Sequence, residues 1–375
     1  MSRQNNIVTL ICHLKPLFQR VRTGKVLFVV ALAAALSFVA CGEDDEPRTF
    51  TSSMSIVRSD LLFESAGRTG SVQVAGVAPF AVSSSSSWAE ARVEGDVIYV
   101  TVAGNDGLDG RTAVLTVTDA RGDKLEIPVQ QRGMVIGRLS EESHYVKNAG
   151  TTIEYTLTHD RPVTFSTNVD WLHPSIEGNT VRIVVDENVE GFIRRGTVSY
   201  ESQGYGSTLT IAQYDLENDV IGTYSLGGFS GDAVIATRIE LMMRHDSLFM
   251  RFIRNDRWAE NPVPLGFDRG NCRVIFRSAE NLYYANASNY DAFYLTDNSA
   301  NRVATTPVAT MVADLVHSNS DGEDITFAVL ADGGTWPGYK CDGIYIRSMR
   351  SGFSTTMMSV RTPFLMRLGP LGMVD

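Results

Sequence analysis

Trp88, Val97-Ile98-Tyr99-Val100-Thr101-Val102, Arg111-Thr112-Ala113-Val114-Leu115-Thr116-Val117 and Leu125-Glu126-Ile127-Pro128-Val129-Gln130-Gln131 form, in that order, the stretch that decides the fold. It occurs twice. Trp171, Val181-Arg182-Ile183-Val184-Val185, Arg194-Arg195-Gly196 and Leu209-Thr210-Ile211-Ala212-Gln213 follow in the same sequence. Ala66-Gly67 and Ala149-Gly150, the two Trp, Gly95 and Gly178, Asn105 and Asn188, and Arg111 and Arg194 all stand 83 residues apart. Self-similarity at a fixed period marks a repeated structural unit. The closing strands align at 82, so one residue is lost in the hairpin before them, where loops tolerate deletion.

Within each unit, apolar and polar residues alternate with period two, the signature of half-buried strands. Gly107-Leu108-Asp109-Gly110, Ala120-Arg121-Gly122-Asp123 and Gln203-Gly204-Tyr205-Gly206 supply the turns. Short strands at this spacing, with no helical pattern between them, predict an immunoglobulin-like sandwich with one Trp in each core. The run Ser83–Ser87 has the composition of a linker. Its repeat partner, Ser166 to Asp170, lies inside the second unit, so it reads as an edge strand or the loop beside Trp88.

A Trp before the first long strand, an Asn, an Arg-x-Ala/Gly strand and a closing strand such as Val129-Gln130-Gln131-Arg132-Gly133 together resemble the BACON domain. The second closing strand, Ile211-Ala212-Gln213-Tyr214-Asp215, lacks the final Gly. The resemblance covers about Thr51 to Tyr214. It implies a pair of domains near the N-terminus of a Bacteroidota surface protein, serving as spacers or bearing on carbohydrate.

Upstream, Arg20, Arg22 and Lys25 precede an uncharged apolar run, Val26 to Ala40. A basic flank, a short apolar core and a small residue at the break are the marks of a secretory signal. The run is shorter than the roughly 20 residues that span a bilayer. Phe38-Val39-Ala40-Cys41 resembles a lipoprotein lipobox, which implies cleavage before Cys41 and its acylation. Gly42-Glu43-Asp44-Asp45-Glu46 resembles the surface-export signal of Bacteroidota lipoproteins and is a self-repelling, solvated tether. Met1 to Gly24 is long for a signal peptide, so translation is expected to start downstream. The expected organisation is signal peptide 1–40, tether 41–50, sandwiches 51–134 and 135–215, and a further β-domain 216–375. The expected location is the outer membrane, lipid-anchored and facing outward.

Removing the first 40 residues takes the net charge from -10 to -15. A chain this acidic lacks the basic footprint that nucleic acid needs, and no nucleic-acid partner is expected. Cys272 and Cys341 are left as a pair that could be bridged or free.

From Leu216 the repeat stops. Strands are predicted at Gly222–Phe229, Ile235–Met243, Leu248–Ile253, Cys272–Phe276, Leu282–Ala285, Phe293–Thr296, Ala309–His317, Ile325–Leu330, Gly343–Met349 and Ser354–Arg361. Antiparallel strands in this number give a sandwich or barrel. Because they read as sequential, a lipocalin-like barrel is favoured. Polar Asp215 to Asp219 marks the boundary, and the piece beyond it is expected to fold alone. The fold class is therefore all-β: two tandem immunoglobulin-like β-sandwiches followed by a β-barrel or β-sandwich domain.

No H-E-x-x-H, C-x-x-C or paired-His spacing exists, so no metal is expected. Gly227-Gly228-Phe229-Ser230-Gly231 is not a nucleophile elbow. Asp321-Gly322-Glu323-Asp324 and Asn105 to Asp109 are explained by turn chemistry rather than calcium. No catalytic residue and no cofactor are predicted. The aromatic residues point elsewhere. Trp258 and Trp336 sit in polar loops, with Tyr283, Tyr284, Tyr290 and Tyr294 between them. Flat rings beside Asn, Asp and Arg suit the apolar faces and hydroxyls of sugars. Trp258, Trp336, Tyr283, Tyr284 and Tyr290 are thus the candidate ligand contacts, the two Trp being alternatively core residues that plug the ends of a barrel, and a polysaccharide or host glycan is the expected partner. A surface protein that binds another protein, and a glycoside hydrolase with unrecognised carboxylates, are the alternatives.

Overall fold

The computed structural model describes residues 53–254, 257–258, 262–320 and 323–371. Cys41, the apolar run before it and the acidic tether after it lie outside the described residues. The protein is all-β, as the alternation predicts. The first sandwich contains β1 (Ser55–Asp60), β2 (Leu62–Phe63), β3 (Arg68–Ala75), β4 (Ala81–Ser84), β5 (Ala89–Glu94), β6 (Val97–Val102), β7 (Arg111–Thr118) and β8 (Lys124–Gln131). They form two sheets, β1-β3-β6-β5 and β2-β8-β7-β4. Along β7, Ala113, Leu115 and Val117 are buried while their neighbours are not, since successive strand residues face opposite sides.

The second sandwich repeats this plan with β9 (Ser143–Val146), β10 (Thr151–Thr156), β11 (Thr164–Thr167), β12 (Leu172–Glu177), β13 (Thr180–Val185), β14 (Arg194–Ser202) and β15 (Tyr205–Gln213). Its sheets are β10-β13-β12 and β9-β15-β14-β11. The first strand of the second sheet runs parallel to the last in both units, β2 on β8 and β9 on β15. Ser83 and Ser84 lie in the edge strand β4, as their repeat partner implies.

The repeated Arg and Gln account for the motif. The Arg111 guanidinium lies 4.4 Å over the Trp88 ring, and Arg194 lies 4.4 Å over Trp171. In each unit the Arg Nε donates to the buried Gln at 2.8 Å, Gln131 or Gln213. Each Gln in turn donates to three backbone carbonyls on two loops. Burial pulls both guanidinium pKa values down from the ordinary range. The two units differ at the Trp. Trp171 is 8% exposed and belongs to the core, whereas Trp88 is only half-buried. Gly196 explains this. A Cβ there would stand 3.1 Å from Trp171 Cζ2 and 2.5 Å from Val169 Cγ2, and the first unit has Ala113 at that position.

The sandwiches are fastened to each other. Ser65 Oγ donates to Asp160 (2.7 Å), and Arg161 reaches Asp106 (2.5 Å). The polar stretch after Gln213 is a single turn of π-helix, Leu216–Val220, with Asp219 and Val220 buried. Beyond it, the core continues across the expected boundary. Ile193, Ala212 and Tyr214 of the second sandwich belong to the same apolar cluster as Tyr224, Leu241 and Phe276. Arg195 donates to the carbonyls of Asn271, Cys272 and Leu315, and Phe192 stacks on His317 at 3.7 Å.

The C-terminal body is one connected, nearly closed, barrel-like sheet. Its strands are β16 (Gly222–Ser230), β17 (Ala233–Arg244), β18 (Ser247–Arg254), β19 (Arg257–Trp258), β20 (Val263–Pro264), β21 (Gly266–Asp268), β22 (Arg273–Arg277), β23 (Glu280–Asn286), β24 (Asn289–Asp297), β25 (Arg302–Val303), β26 (Thr310–Asp314), β27 (Val316–Ser320), β28 (Glu323–Asp332), β29 (Gly343–Arg350) and β30 (Phe353–Gly369). β16, β17 and β18 are joined by hairpins, the second through His245 and Asp246 at φ 47° and 65°, as a two-residue turn of this hand requires. The remaining order is not that of a plain meander. β16, the first strand, pairs with β30, the last. On its other side β30 pairs with β29 over its first half and with β28 over its second. Two branches diverge there, β29-β24-β23 and β28-β26-β22-β21. They curl back until β23 meets β20 and β21 meets β18. Cys272 and Cys341 are both free thiols, and both are buried.

Candidate functional site

The branch β30-β29-β24-β23 has two faces, and both carry unusual side chains. Phe293, Leu295, Ile344 and Ile346 point into the core. The alternate residues therefore point outward. Register places Tyr284 opposite Tyr290, Tyr290 opposite Met349, Ala292 opposite Arg347, and Tyr294 opposite Tyr345. The outer face thus bears Tyr284, Tyr290, Tyr294 and Tyr345 around Arg347. Tyr284 is 57% exposed and the other three rings are half-buried. Tyr294 and Tyr345 lie 6.2 Å apart at 30°. Burial pushes the Tyr294 hydroxyl pKa up, nearby Tyr290 adds to this, and Arg347 opposes it. Arg347 Nε is buried and has no hydrogen-bond partner among the described residues.

The inner face borders a cavity of ≈ 200 Å³ between this branch and β17–β18. Tyr283 lines it, opposite Asp291 in register. Asp291 is buried and accepts from Arg350 at 2.6 Å, and the Arg350 guanidinium lies 5.5 Å from the Tyr283 ring centre.

The structure divides the predicted contacts. Tyr284 and Tyr290 meet on the outer face. Tyr283 turns to the inner one. Trp336 precedes β29, at the end where Gly343 pairs with Thr296. At about 3.3 Å per residue this is roughly 20 Å from Tyr290. There it packs half-buried against the core and tilts on Tyr339 at 4.7 Å. Trp258 is on β19, paired with Ile253, and its side chain lies outside the described residues. Tyr345 and Arg347 are not among the predicted contacts. The alternation Tyr345-x-Arg347-x-Met349 carries them, three bulky residues on the outward side of a strand whose inward side is Ile344 and Ile346.

Among the described residues, no three His, Cys, Asp or Glu side chains group as metal ligands, and no helix is long and apolar enough to cross a membrane.

No family model matches the chain, and no curated protein matches it. Solved structures do. The I9–I11 tandem of titin is 9% identical, covers 55% of this chain and 96% of its own, and has a TM-score of 0.32. A chimeric titin Z1Z2 is 10% identical over 43% of this chain and 95% of its own, with a TM-score of 0.27. The Bacteroides ovatus GH5 xyloglucanase in complex with a XXXG heptasaccharide is 26% identical over 26% of this chain and 22% of its own, with a TM-score of 0.21.

Proposed function

We propose that this protein is a lipid-anchored surface protein of the BACON-bearing kind that binds glycan, without catalysing a reaction, on the outer tyrosine face of its C-terminal body. The two sandwiches serve as spacers between that body and a lipid on Cys41 in the outer membrane. One observation carries the reading. Tyr284, Tyr290, Tyr294 and Tyr345 share one sheet face around the unpartnered Nε of Arg347. A tyrosine ring offers an apolar surface to the C–H face of a sugar, and its hydroxyl can bond a sugar hydroxyl. A buried donor without an acceptor is costly, and a sugar oxygen would supply one.

The test is a panel of soluble polysaccharides assayed by calorimetry, with Tyr290→Ala and Tyr345→Ala as variants. Each is expected to weaken binding on the order of tenfold, as loss of one aromatic contact does, and to leave the melting temperature nearly unchanged. Failure of the wild type to bind any glycan, or unaltered binding by both variants, refutes the reading. The anchor is checked separately. Cys41→Ala should release the protein from membranes or leave its precursor uncleaved, and unchanged partitioning and mass would exclude acylation.

A further inference from the structure

We infer that the cavity between β17–β18 and β23, β24, β29 and β30 binds a fatty acid, taking the end of an unbranched acyl chain inside and leaving the carboxylate at its mouth.

The first observation is how the walls are made. In an unbroken strand, neighbouring residues face opposite sides. Here Leu282 and Tyr283 both line the cavity, and so do Met357 and Met358. Each pair sits at a break in register. β23 advances from Asn281 to Tyr283 while β24 moves one residue, which leaves Leu282 unpaired. β30 advances from Thr356 to Met358 while β29 moves one, which leaves Met357 unpaired. These are β-bulges, which bend a strand and re-aim its side chains. Two bulges on two strands thus deliver four side chains to one cavity.

The second observation is its chemistry and size. Ile235, Phe252, Leu282, Ile346, Met357 and Met358 form the apolar part of the lining, beside Thr237, Tyr283 and the paired Asp291, and methionine adapts to a flexible chain. At ≈ 200 Å³ the space exceeds the about 150 Å³ apolar cavity that takes benzene. It is below the about 300 Å³ at which sites for whole drug-sized ligands begin. It therefore fits one end of a ligand. The remainder has a path, because Met357 and Ile235, which line the cavity, are themselves 51% and 38% exposed.

The third observation is charge. Arg350 stands beside Tyr283 with its side chain 36% exposed, and one of its nitrogens donates to Asp291 in the cavity wall. The Asp291 carboxylate is thereby neutralised, and the exposed part of the guanidinium suits an anionic head. The site lies on the opposite face of the sheet from the tyrosines, so the inference stands or falls apart from the glycan reading.

The full chain is titrated calorimetrically with hexanoate, octanoate, decanoate and dodecanoate. The expected result is saturable binding that tightens about fourfold per added methylene until the cavity is filled, then levels off. Lysophosphatidylcholine bearing a dodecanoyl chain distinguishes sources. Tighter binding of dodecanoate supports a free fatty acid, and equal binding supports an acyl chain still esterified. Met357→Trp fills the cavity and is expected to lower dodecanoate affinity at least about tenfold with the melt retained. Should that variant not fold, Met357→Ala serves instead, and levelling-off is expected at a longer chain. No saturable binding, no dependence on chain length, or dodecylamine binding as tightly as dodecanoate overturns the proposal. So does adsorption to phosphatidylglycerol vesicles without fatty-acid binding, which would make the rim a membrane contact.

Discussion

Replacing Arg194 by Leu tests the clearest structural claim, that the repeated Arg–Gln–Trp assembly clamps each sandwich shut. Two losses are expected. The guanidinium sits 4.4 Å over Trp171, whose ring is 8% exposed, and a cation–π contact that is largely desolvated is worth about 1–2 kcal/mol. Gln213 is fully buried, and its Oε1 accepts from Arg194 at 2.8 Å. Stranding that acceptor costs about 1–3 kcal/mol. The carbonyl of Asp186 adds nothing, since it also accepts from Gln213 and remains bonded. The total is about 2–5 kcal/mol. Arg111→Leu removes the same bond to Gln131, but Trp88 is half-exposed, so its ring contributes about 0.5–1 kcal/mol. The second-unit variant should be the less stable of the two.

Differential scanning calorimetry of the full chain reads this, since several bodies need not unfold as one transition. A double-mutant cycle with Trp171→Phe isolates the ring contact, with an expected coupling on the order of 1 kcal/mol. A melt for Arg194→Leu within about 0.5 kcal/mol of wild type would show that water replaces the guanidinium without cost. Zero coupling to Trp171 would show that the stacked geometry contributes nothing.

Gly196→Ala should destabilise by about 1–3 kcal/mol through overpacking against Val169, Leu172 and Trp171, and a melt equal to wild type would show that Trp171 can move aside. The Asp297 carboxyl is held down at about 2, chiefly by the Lys340 N–H, then by Ser299 and Ala300. Its folded-state value lies below the ordinary 3.8, so its contribution is present above that pH and is lost as pH falls towards 2. Asp297→Asn should flatten that part of the stability profile, and an unaltered acid limb would refute the assignment. Burial pushes the Cys272 and Cys341 thiols up to about 12. Iodoacetamide at pH 8 with peptide mapping should leave both unlabelled until urea unfolds the protein, and labelling of the native chain would contradict their burial.

What the sequence made readable follows from what each signal depends on. The sandwiches were readable because the repeat aligns β4 with β11, β5 with β12 and β6 with β13 at 83 residues, and strand alternation is local. The C-terminal strands were found for the same reason. Their order was not, because the pairing of β16 with β30 joins residues about as far apart as that body allows, and register between them is set by packing rather than by neighbours. The bulges at Leu282 and Met357 leave no mark in composition, so nothing separated Tyr283 from Tyr284. Once β23 is bent, one ring enters the cavity and the next faces out. Trp336 is a large ring in a loop, which composition alone leaves free to face solvent or to fold back onto the core; here it folds back.

The boundary near Leu216 shows how polarity misleads when it is read without packing. Asp215 to Asp219 has the composition of a linker, yet Asp219 turns inward and accepts from the Asp215 N–H at 2.6 Å. Burial raises its pKa, the opposite of what a solvated linker carboxylate would show. The residues just before it, Ala212 and Tyr214, are fully buried in the cluster that fills the C-terminal body. Tyr214 also donates to the Arg269 carbonyl at 3.0 Å. A freely swinging domain would have exposed polar groups at such a junction. The junction instead places three carbonyls of the C-terminal body on Arg195 and two fully buried residues of the second sandwich in its core. The second sandwich is therefore part of what holds the C-terminal body in place, and a change that loosens β14 or β15 should be felt in that body as well as in the repeat.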